Sequence, residues 1–243
     1  MALFFQPNLA AGDHQLSEDD THHALRVLRL TAGDTVDVTD GRGQLYQVRL
    51  STVKNSRYAF EITGAAPGPR RTARLTVAVA PTKQADRMEW FLEKAVEIGI
   101  DQVVWMHCRH SERTSIKPDR MEKIAITAMK QAGHGYLPVL TPMTPFDQVV
   151  KGFASAQNFI CTVPAAPNDL MLRMARPAAD TCVLIGPEGD FSADEVAMAV
   201  TAGFQKASLG PHRLRTETAA LAACHILNLV QPLSPEARSN QIN

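Results

Sequence analysis

Apolar and polar residues alternate from about residue 35 to residue 63, and this spacing of two predicts short β-strands. The apolar positions of these strands are Val36, Val38, Leu45, Val48, Leu50 and Val53. Residues 40–43, Asp-Gly-Arg-Gly, have the composition of a tight turn. Residues 22–30 precede the strands and predict one or two helical turns. The beginning of the chain is therefore expected to form a small β-unit.

The pattern changes after residue 74, where apolar runs alternate with helical periodicity. Strands are predicted at residues 75–80, 103–106, 159–163 and 182–185. Helices are predicted from about residue 86 to a stop at Gly99, after Pro118, near Leu170, and over residues 220–229. Strands that alternate with helices favour a mostly parallel sheet that is covered on both faces. This part of the chain is predicted to be an α/β domain.

The two patterns meet at a segment with the composition of a linker. Residues 65–71 read Ala-Ala-Pro-Gly-Pro-Arg-Arg. The length of 243 residues exceeds the roughly 100–200 residues of a common single domain. We therefore expect two domains, which comprise residues 1–69 and 70–243.

Composition narrows the classes of protein that remain. Hydrophobic residues make up 45% of the chain and charged residues 21%, which is enough apolar surface for a sizeable core. The formal net charge of zero argues against a polybasic tail, but it neither shows nor excludes local nucleic-acid binding. No run approaches the roughly 18 apolar residues that span a bilayer, and the chain does not open on a secretory signal pattern. A soluble, cytoplasmic protein with no membrane partner is expected.

The cysteines and histidines do not predict a metal site. The four cysteines are widely separated in apolar surroundings and form no Cys-x-x-Cys pair, which is typical of buried thiols in a reducing compartment. His107, Cys108 and His110 match no familiar zinc spacing and lack a second pair of ligands. A packed strand end is the expected interpretation of these three residues.

One candidate for chemistry is the segment 182–195, where an apolar strand runs into a Gly-Pro-Glu-Gly turn. Ser192 and Glu195 have the spacing of a capping box that begins a helix, which is expected to end near Gly203. Ligands of open α/β sheets bind beyond the carboxyl ends of strands, where glycines allow close approach to the backbone. The same turn is equally compatible with a plain connection. Neither a G-x-G-x-x-G fingerprint nor a P-loop is present.

A second candidate is the segment 207–219, which leads into the last apolar helix. Its loop contains Arg213 and Arg215, and Thr216 is predicted to cap the helix. A helix N-terminus beside such a loop attracts carboxylates and phosphates. Taken alone, the two arginines are also compatible with solvated loop charges.

Together these segments resemble the RsmE family of bacterial 16S ribosomal RNA uridine N3-methyltransferases. The motifs are Leu-Ile-Gly-Pro-Glu-Gly at 184–189 and Leu-Gly-x-x-x-Leu-Arg-Thr-Glu-Thr-Ala at 209–219, in the family's order and spacing. Residues 22–34 and 93–99 resemble the family's N-terminal motif and central helix. The resemblance implies a PUA-like RNA-binding β-barrel (1–69), then a SPOUT-type methyltransferase domain (70–243) with a C-terminal trefoil knot. It also implies S-adenosyl-L-methionine as cofactor and a site at a homodimer interface.

Site residues follow from the same resemblance. The cofactor-binding candidates are Gly186, Glu188, Gly189, Leu209, Gly210, Leu214 and Thr216. Arg215 is the candidate electrostatic stabiliser, and Glu217 is the candidate orienter or base. An alternative is that Glu217 only complements the dipole of the helix N-terminus.

The substrate implied is 16S rRNA, within the small ribosomal subunit. N3 of uracil is on the Watson–Crick edge, so the target base must be unpaired before it can react. The candidates for phosphate contact are Arg26, Arg29, Lys83, Arg109 and Arg113. Each of these taken singly is also compatible with ordinary surface solvation.

Three positions depart from the family pattern. Asp190 replaces a second glycine, and we expect the start of the following helix to tolerate it because the helix dipole favours acids. Arg213 replaces an isoleucine, and residues 130–134 match the family only loosely. Two other functions therefore stay open: an RNA-binding assembly factor that has lost catalysis, and a methyltransferase that acts on a different nucleotide.

Overall fold

The computed structural model describes residues 2–54, 56–153, 155–163 and 169–232, and backbone contacts group them in two units. The first contains residues 2–70 together with residues 129–137. The second contains residues 71–128 and 138–232. The division into domains at residue 70 stays a prediction, and residues 129–137, which it assigns to the second domain, cluster with the first unit.

The first unit contains a four-stranded sheet in the order β1-β2-β3-β4. Its strands are β1 (Leu3–Phe5), β2 (Thr35–Thr39), β3 (Gln44–Lys54) and β4 (Arg57–Pro67). β1 pairs with β2 in parallel, and the other pairs are antiparallel. The alternation of apolar residues places Val36, Val38, Val48 and Leu50 in the core, as predicted, whereas Val53 is exposed.

The helix of this unit begins earlier than its apolar pattern predicts. It is α1 (Glu18–Arg26), and a short 3-10 helix (Leu9–Ala11) precedes it. The Ser17 side chain accepts a hydrogen bond from the backbone N–H of Asp20 and so caps the first turn. The helical prediction for residues 27–30 is wrong, because Arg29 has a left-handed backbone with φ of +55°.

The second unit contains a six-stranded sheet in which every pair of neighbours is parallel. The strands are β5 (Leu75–Val79), β6 (Gln102–His107), β7 (Val139–Pro145), β8 (Gln157–Cys161), β9 (Thr181–Ile185) and β10 (Gln205–Ala207). Their order is β10-β8-β9-β5-β6-β7. All residues of β5 and β9 are buried, as expected for central strands with both faces covered. This confirms the predicted α/β class.

A helix follows each of these six strands. They are α2 (Ala85–Ile98), α3 (Pro118–Ala132), α4 (Phe146–Gly152), α5 (Met171–Met174), α6 (Ala193–Thr201) and α7 (Thr216–Val230). Gly99 ends α2 in the left-handed conformation that the sequence predicts. α7 packs against α2, α5, β5 and β9. None of the helices in the described ranges has the length and apolar character needed to cross a bilayer.

The strand order creates a point where the chain reverses its direction of travel across the sheet. From β5 the chain adds β6 and β7 on one side, and it then returns to place β9 directly on the other side of β5. Because the strands are parallel, their carboxyl ends share one edge. Ligands of open α/β sheets bind at such an edge, close to the reversal.

Candidate active site

A cavity of about 560 Å³ opens at the carboxyl ends of β8, β9 and β10. Three loops line it, at residues 161–163, 185–190 and 207–217, together with Arg87 from α2. Its volume falls within the roughly 300–1,000 Å³ of small-molecule sites. The cavity lies where the sequence predicts a ligand, beyond the ends of the strands.

The turn after β9 brings backbone into close contact with an aromatic ring. The backbone N–H of Asp190 donates a hydrogen bond of 2.9 Å to the carbonyl oxygen of Pro187, which closes the turn. A Cβ atom added to Gly186 would lie 3.1 Å from Phe191 Cε2 and 3.3 Å from the Phe191 backbone nitrogen. A side chain at residue 186 would therefore displace the turn, because a backbone atom has little freedom to move away.

Asp190 adopts a left-handed backbone with φ of +61°. Its carboxylate accepts hydrogen bonds from the backbone N–H groups of Val163 at 3.2 Å and Phe191 at 2.8 Å. Ser192 is the N-cap of α6, with the predicted capping box to Glu195, so Asp190 lies before the helix rather than in it. The expectation that a helix start accommodates Asp190 is wrong. Local hydrogen bonds hold it in a conformation that glycine adopts more easily.

The N-terminus of α7, which follows the loop after β10, is not capped by the residue that the sequence predicts. Arg215 is at the N-cap position, and its side chain makes no capping hydrogen bond. Thr216 is the first helical residue, and its hydroxyl donates a buried hydrogen bond of 3.1 Å to the carbonyl oxygen of Gly186. The prediction of Thr216 as the N-cap is therefore wrong by one residue. Its side chain instead joins the start of α7 to the turn after β9.

Glu217 forms an ion pair that the sequence does not reveal. Its Oε1 lies 3.7 Å from Nε of Arg87, and both side chains line the cavity. The Glu217 side chain is only 9% exposed. Its second oxygen, Oε2, is buried and has no hydrogen-bond partner among the described residues. A buried carboxylate oxygen without a donor is costly, and a ligand that carries an N–H or O–H group would satisfy it.

Six of the seven cofactor candidates line this cavity: Gly186, Glu188, Leu209, Gly210, Leu214 and Thr216. Gly189 does not line it. A Cβ atom added to Gly189 would lie 3.2 Å from His110 Cβ, so the glycine makes room for that histidine. Nδ1 of His110 in turn lies 3.0 Å from the carbonyl oxygen of Asp190. The role of each candidate in binding a cofactor stays a prediction.

Glu188 connects the cavity to the loop after β5. Its Oε1 accepts a hydrogen bond of 3.1 Å from the backbone N–H of Lys83. Arg113 donates from Nε to the carbonyl oxygen of Thr82 at 2.9 Å and from Nη2 to that of Lys83 at 2.6 Å. Arg113 thus braces the Lys83 loop through its backbone.

The other phosphate-contact candidates are on exposed surfaces. Lys83 is 77% exposed and its Nζ lies 3.2 Å from Glu112, and Arg109 Nη1 lies 3.4 Å from Asp194. Exposed pairs of this kind are weak and exchange readily with a phosphate. Arg26 and Arg29 are exposed residues of the first unit, at and just beyond the end of α1.

Three of the four cysteines are buried, as the sequence predicts, and the fourth, Cys161, is not. All four cysteines are free, with Cys108, Cys182 and Cys224 buried, and Cys161 half-buried on the wall of the cavity. Burial raises the pKa of Cys182 and Cys224 to about 12. These two thiols are therefore inert packing residues.

Two family models match the chain. An RNA methyltransferase domain covers residues 69–228, and an RNA methyltransferase PUA domain covers residues 16–63. The first match spans the whole parallel sheet, the three loops of the cavity and most of α7.

Curated relatives and solved structures agree with these matches. The ribosomal RNA small subunit methyltransferase E of a Synechocystis species is 27% identical, over 88% of this chain and 72% of its own length. A probable rRNA-methyltransferase structure from Porphyromonas gingivalis is 40% identical with a TM-score of 0.85, over 95% of this chain and 98% of its own. The ribosomal RNA small subunit methyltransferase E structure from Neisseria gonorrhoeae, bound to S-adenosyl methionine, is 26% identical with a TM-score of 0.81 and the same coverage.

Proposed function

Because the chain belongs to the RsmE family of RNA methyltransferases, we propose that it methylates N3 of a uridine in 16S ribosomal RNA. The methyl donor is S-adenosyl-L-methionine. The observation that carries the proposal is Glu217, a buried carboxylate on the cavity wall whose Oε2 has no donor among the described residues. Methylation at N3 removes the N3–H proton, and this oxygen is an acceptor for it.

The cavity suits the proposed cofactor. When bound, S-adenosyl-L-methionine supplies a methyl group that is already activated by its sulfonium. Gly186 and Gly210 offer backbone without side chains, Leu209 and Leu214 offer apolar surface, and Glu188 offers a carboxylate. Thr216 holds two of the walls together through its hydrogen bond to Gly186. Gly189, by contrast, supports the turn from outside the cavity wall.

Alignment is the larger part of the proposed catalysis. Holding two reactants in position lowers a barrier by up to roughly 7–11 kcal/mol, whereas a general base contributes on the order of 3–5 kcal/mol. Glu217 accepts the weakly acidic N3–H, and Arg215, exposed at the cavity mouth, stabilises the negative charge that develops on the base. The target uridine enters unpaired, since N3 is on its Watson–Crick edge.

Individual basic side chains position the RNA through its phosphates. An overall positive charge does not contribute, because the formal net charge of the chain is zero. We assign this role to Lys83 and Arg109, with Arg113 bracing the loop of Lys83. Arg26 and Arg29 are the corresponding candidates of the first unit. The partner is the small ribosomal subunit, and the proposed active form is a homodimer. Leu229 of α7, which is 68% exposed, is an apolar side chain that a second copy would cover.

The test is transfer of a labelled methyl group from S-adenosylmethionine to small subunits that lack the modification, followed by nucleoside mass spectrometry. A single 3-methyluridine is expected. Arg215→Ala should lower its yield on the order of 10²–10³-fold, as the loss of one charge-stabilising donor does. Arg74→Ala is the matched control, because Arg74 is an exposed arginine at the amino end of β5, the opposite edge of the sheet.

Each other outcome points to one of the alternatives. Subunits that bind the protein but take up no label would favour an assembly factor without catalysis. Label on another nucleoside would keep the methyltransferase and change its substrate.

A further inference from the structure

Arg87 is the one described cation within 4 Å of the Glu217 carboxylate. Arg215, the cation that the family motif indicates, is exposed at the N-cap of α7 and forms no ion pair with Glu217. Arg87 comes from a different element, the first turn of α2, 130 residues earlier in the chain. Three arginines line the cavity, Arg87, Arg213 and Arg215, and among them only Arg87 is electrostatically paired with the proposed base.

The position of Arg87 is unfavourable for its own helix. The N-terminus of a helix carries a partial positive charge, and a cation in the first turn is repelled by it. The Arg87 side chain makes no hydrogen bond to another described residue, and its contact with Glu217 is an ion pair at 3.7 Å, longer than a hydrogen bond. An arginine that only stabilised the fold would be expected to use some of its five N–H donors. Here they remain available at the cavity, where the side chain is 29% exposed.

The ion pair also determines which oxygen of Glu217 is available. Arg87 faces Oε1, and Oε2 is left buried with no donor from the residues that the structure describes. The side chain is more than nine-tenths buried, so bulk water does not satisfy that oxygen. An N–H group of a bound base would satisfy it.

We propose that Arg87 is a positioning residue for methyl transfer, which orients Glu217 through Oε1 so that Oε2 takes the proton from N3 of the target base. The inference rests on the proposed function. In the step, the N3–H bond breaks and an O–H bond forms on Oε2. The electron pair left on N3 forms the new N–C bond to the methyl group. The electron pair of the S–C bond that breaks in S-adenosyl-L-methionine stays on sulfur. Glu217 later releases its proton to water.

Arg87 also compensates the negative charge of the site before and after the proton is transferred. Before the proton moves, its positive charge is balanced by the Glu217 carboxylate. After the proton moves, Glu217 is neutral and the negative charge is on the base, beside the same guanidinium. The site therefore needs no movement of charged side chains as the reaction proceeds, which is the condition for efficient electrostatic stabilisation.

The experiment is a double-mutant cycle with Arg87→Met and Glu217→Gln, measured as single-turnover formation of 3-methyluridine. Arg87→Met keeps the apolar stem and removes the charge. It should lower the rate about 10- to 100-fold in the wild-type background, which is in the upper part of the coupling range for residues in contact. In the Glu217→Gln background it should change the rate by less than about threefold, because its partner is already absent.

Further measurements separate positioning from a purely structural role. Arg87→Lys keeps the charge and should restore the rate to within about tenfold of wild type. Affinity for S-adenosylmethionine, measured by calorimetry, should change less than about twofold in every variant. Arg120→Met is the matched control, since Arg120 forms an ion pair with Glu89 on the surface, outside the cavity, and its loss should leave the rate unchanged.

Several results would overturn the inference. Equal losses from Arg87→Met in both backgrounds would mean that Arg87 does not act through Glu217. A matching loss of cofactor affinity or of thermal stability, without rescue by lysine, would assign it a structural role. Both results require an active wild-type protein, whereas a wild type that makes no 3-methyluridine would overturn the proposed function itself.

Discussion

Asp190 is held in a left-handed conformation by its own side chain, so alanine should be tolerated there less well than glycine. Alanine loses both hydrogen bonds of the carboxylate, to Val163 at 3.2 Å and to Phe191 at 2.8 Å, and keeps a strained backbone with φ of +61°. Glycine loses the same bonds and removes the strain. Asparagine retains an acceptor oxygen and tolerates the left-handed region.

The magnitudes follow from these terms. Two hydrogen bonds contribute about 2 kcal/mol together, and left-handed backbone costs alanine about 1–2 kcal/mol relative to glycine. Glycine also lowers the free energy of unfolding by about 0.5–1 kcal/mol, because the unfolded chain has more conformational freedom with glycine at this position. The expected losses in the free energy of unfolding are therefore about 2–3 kcal/mol for Asp190→Ala, about 1–2 for Asp190→Gly and less than about 1 for Asp190→Asn.

Urea unfolding monitored by circular dichroism measures all three losses, with the slope of each transition checked against wild type. Alanine and glycine lose the same hydrogen bonds, so their difference isolates the backbone term. An alanine variant as stable as the glycine variant would refute the left-handed conformation. An asparagine variant as unstable as alanine would refute the role of the carboxylate as a local acceptor.

Three further predictions concern buried positions. Gly43→Ala would place a Cβ atom inside the Tyr136 ring's contact distance at a φ of +107°, and should lower the free energy of unfolding by about 2–4 kcal/mol. Gly64→Ala, whose nearest neighbour would lie at 4.0 Å, should stay within about 0.5 kcal/mol of wild type, and equal losses in the two variants would contradict the packing argument. Cys182 and Cys224 should resist iodoacetamide in the folded protein at pH 8 and react after denaturation, because burial raises their pKa to about 12 and the thiolate is the nucleophile. Peptide mass spectrometry of the alkylated protein checks this. The same rise in pKa should lower the free energy of unfolding as pH rises from 9.0 towards about 12, because over that range the thiols of the unfolded chain lose their protons first. Unfolding measured as a function of pH checks this.

Periodicity predicts the elements that are long or strongly apolar. β5 and β9 are five buried residues each, so their apolar runs stand out in the sequence. Two strands of the second unit that periodicity does not predict, β7 and β10, lack this signal. β7 contains Pro142 and Pro145 and lies at one edge of the sheet, and β10 is three residues, two of them exposed, at the other edge. Edge pairing depends on neighbours that are distant in sequence, and local pattern does not report them.

The sequence predicts some parts of the site better than others, for a related physical reason. Six cofactor candidates lie in two continuous motifs, and the parallel sheet brings the ends of β9 and β10 to one edge, so contiguous sequence was sufficient to find them. Gly189 belongs to the same motif, yet its close neighbour is His110, which only the folded chain brings to it. Motif membership alone therefore does not distinguish a residue that lines a cavity from one that supports the wall.

Arg87 shows what kind of signal remains in a sequence beyond its motifs. Its partner Glu217 is 130 residues away, so no spacing rule joins them. The local conflict is nevertheless visible, because an arginine in the first turn of a helix that follows a strand opposes the helix dipole at the edge where ligands bind. Residues that violate a local rule tend to be at functional sites. A search for charges of the unfavourable sign in the first turns after parallel strands selects Arg87 together with Arg120 and Arg173, of which only Arg87 lines the cavity. The double-mutant cycle, with Arg120→Met as its control, decides whether the signal at Arg87 identifies chemistry.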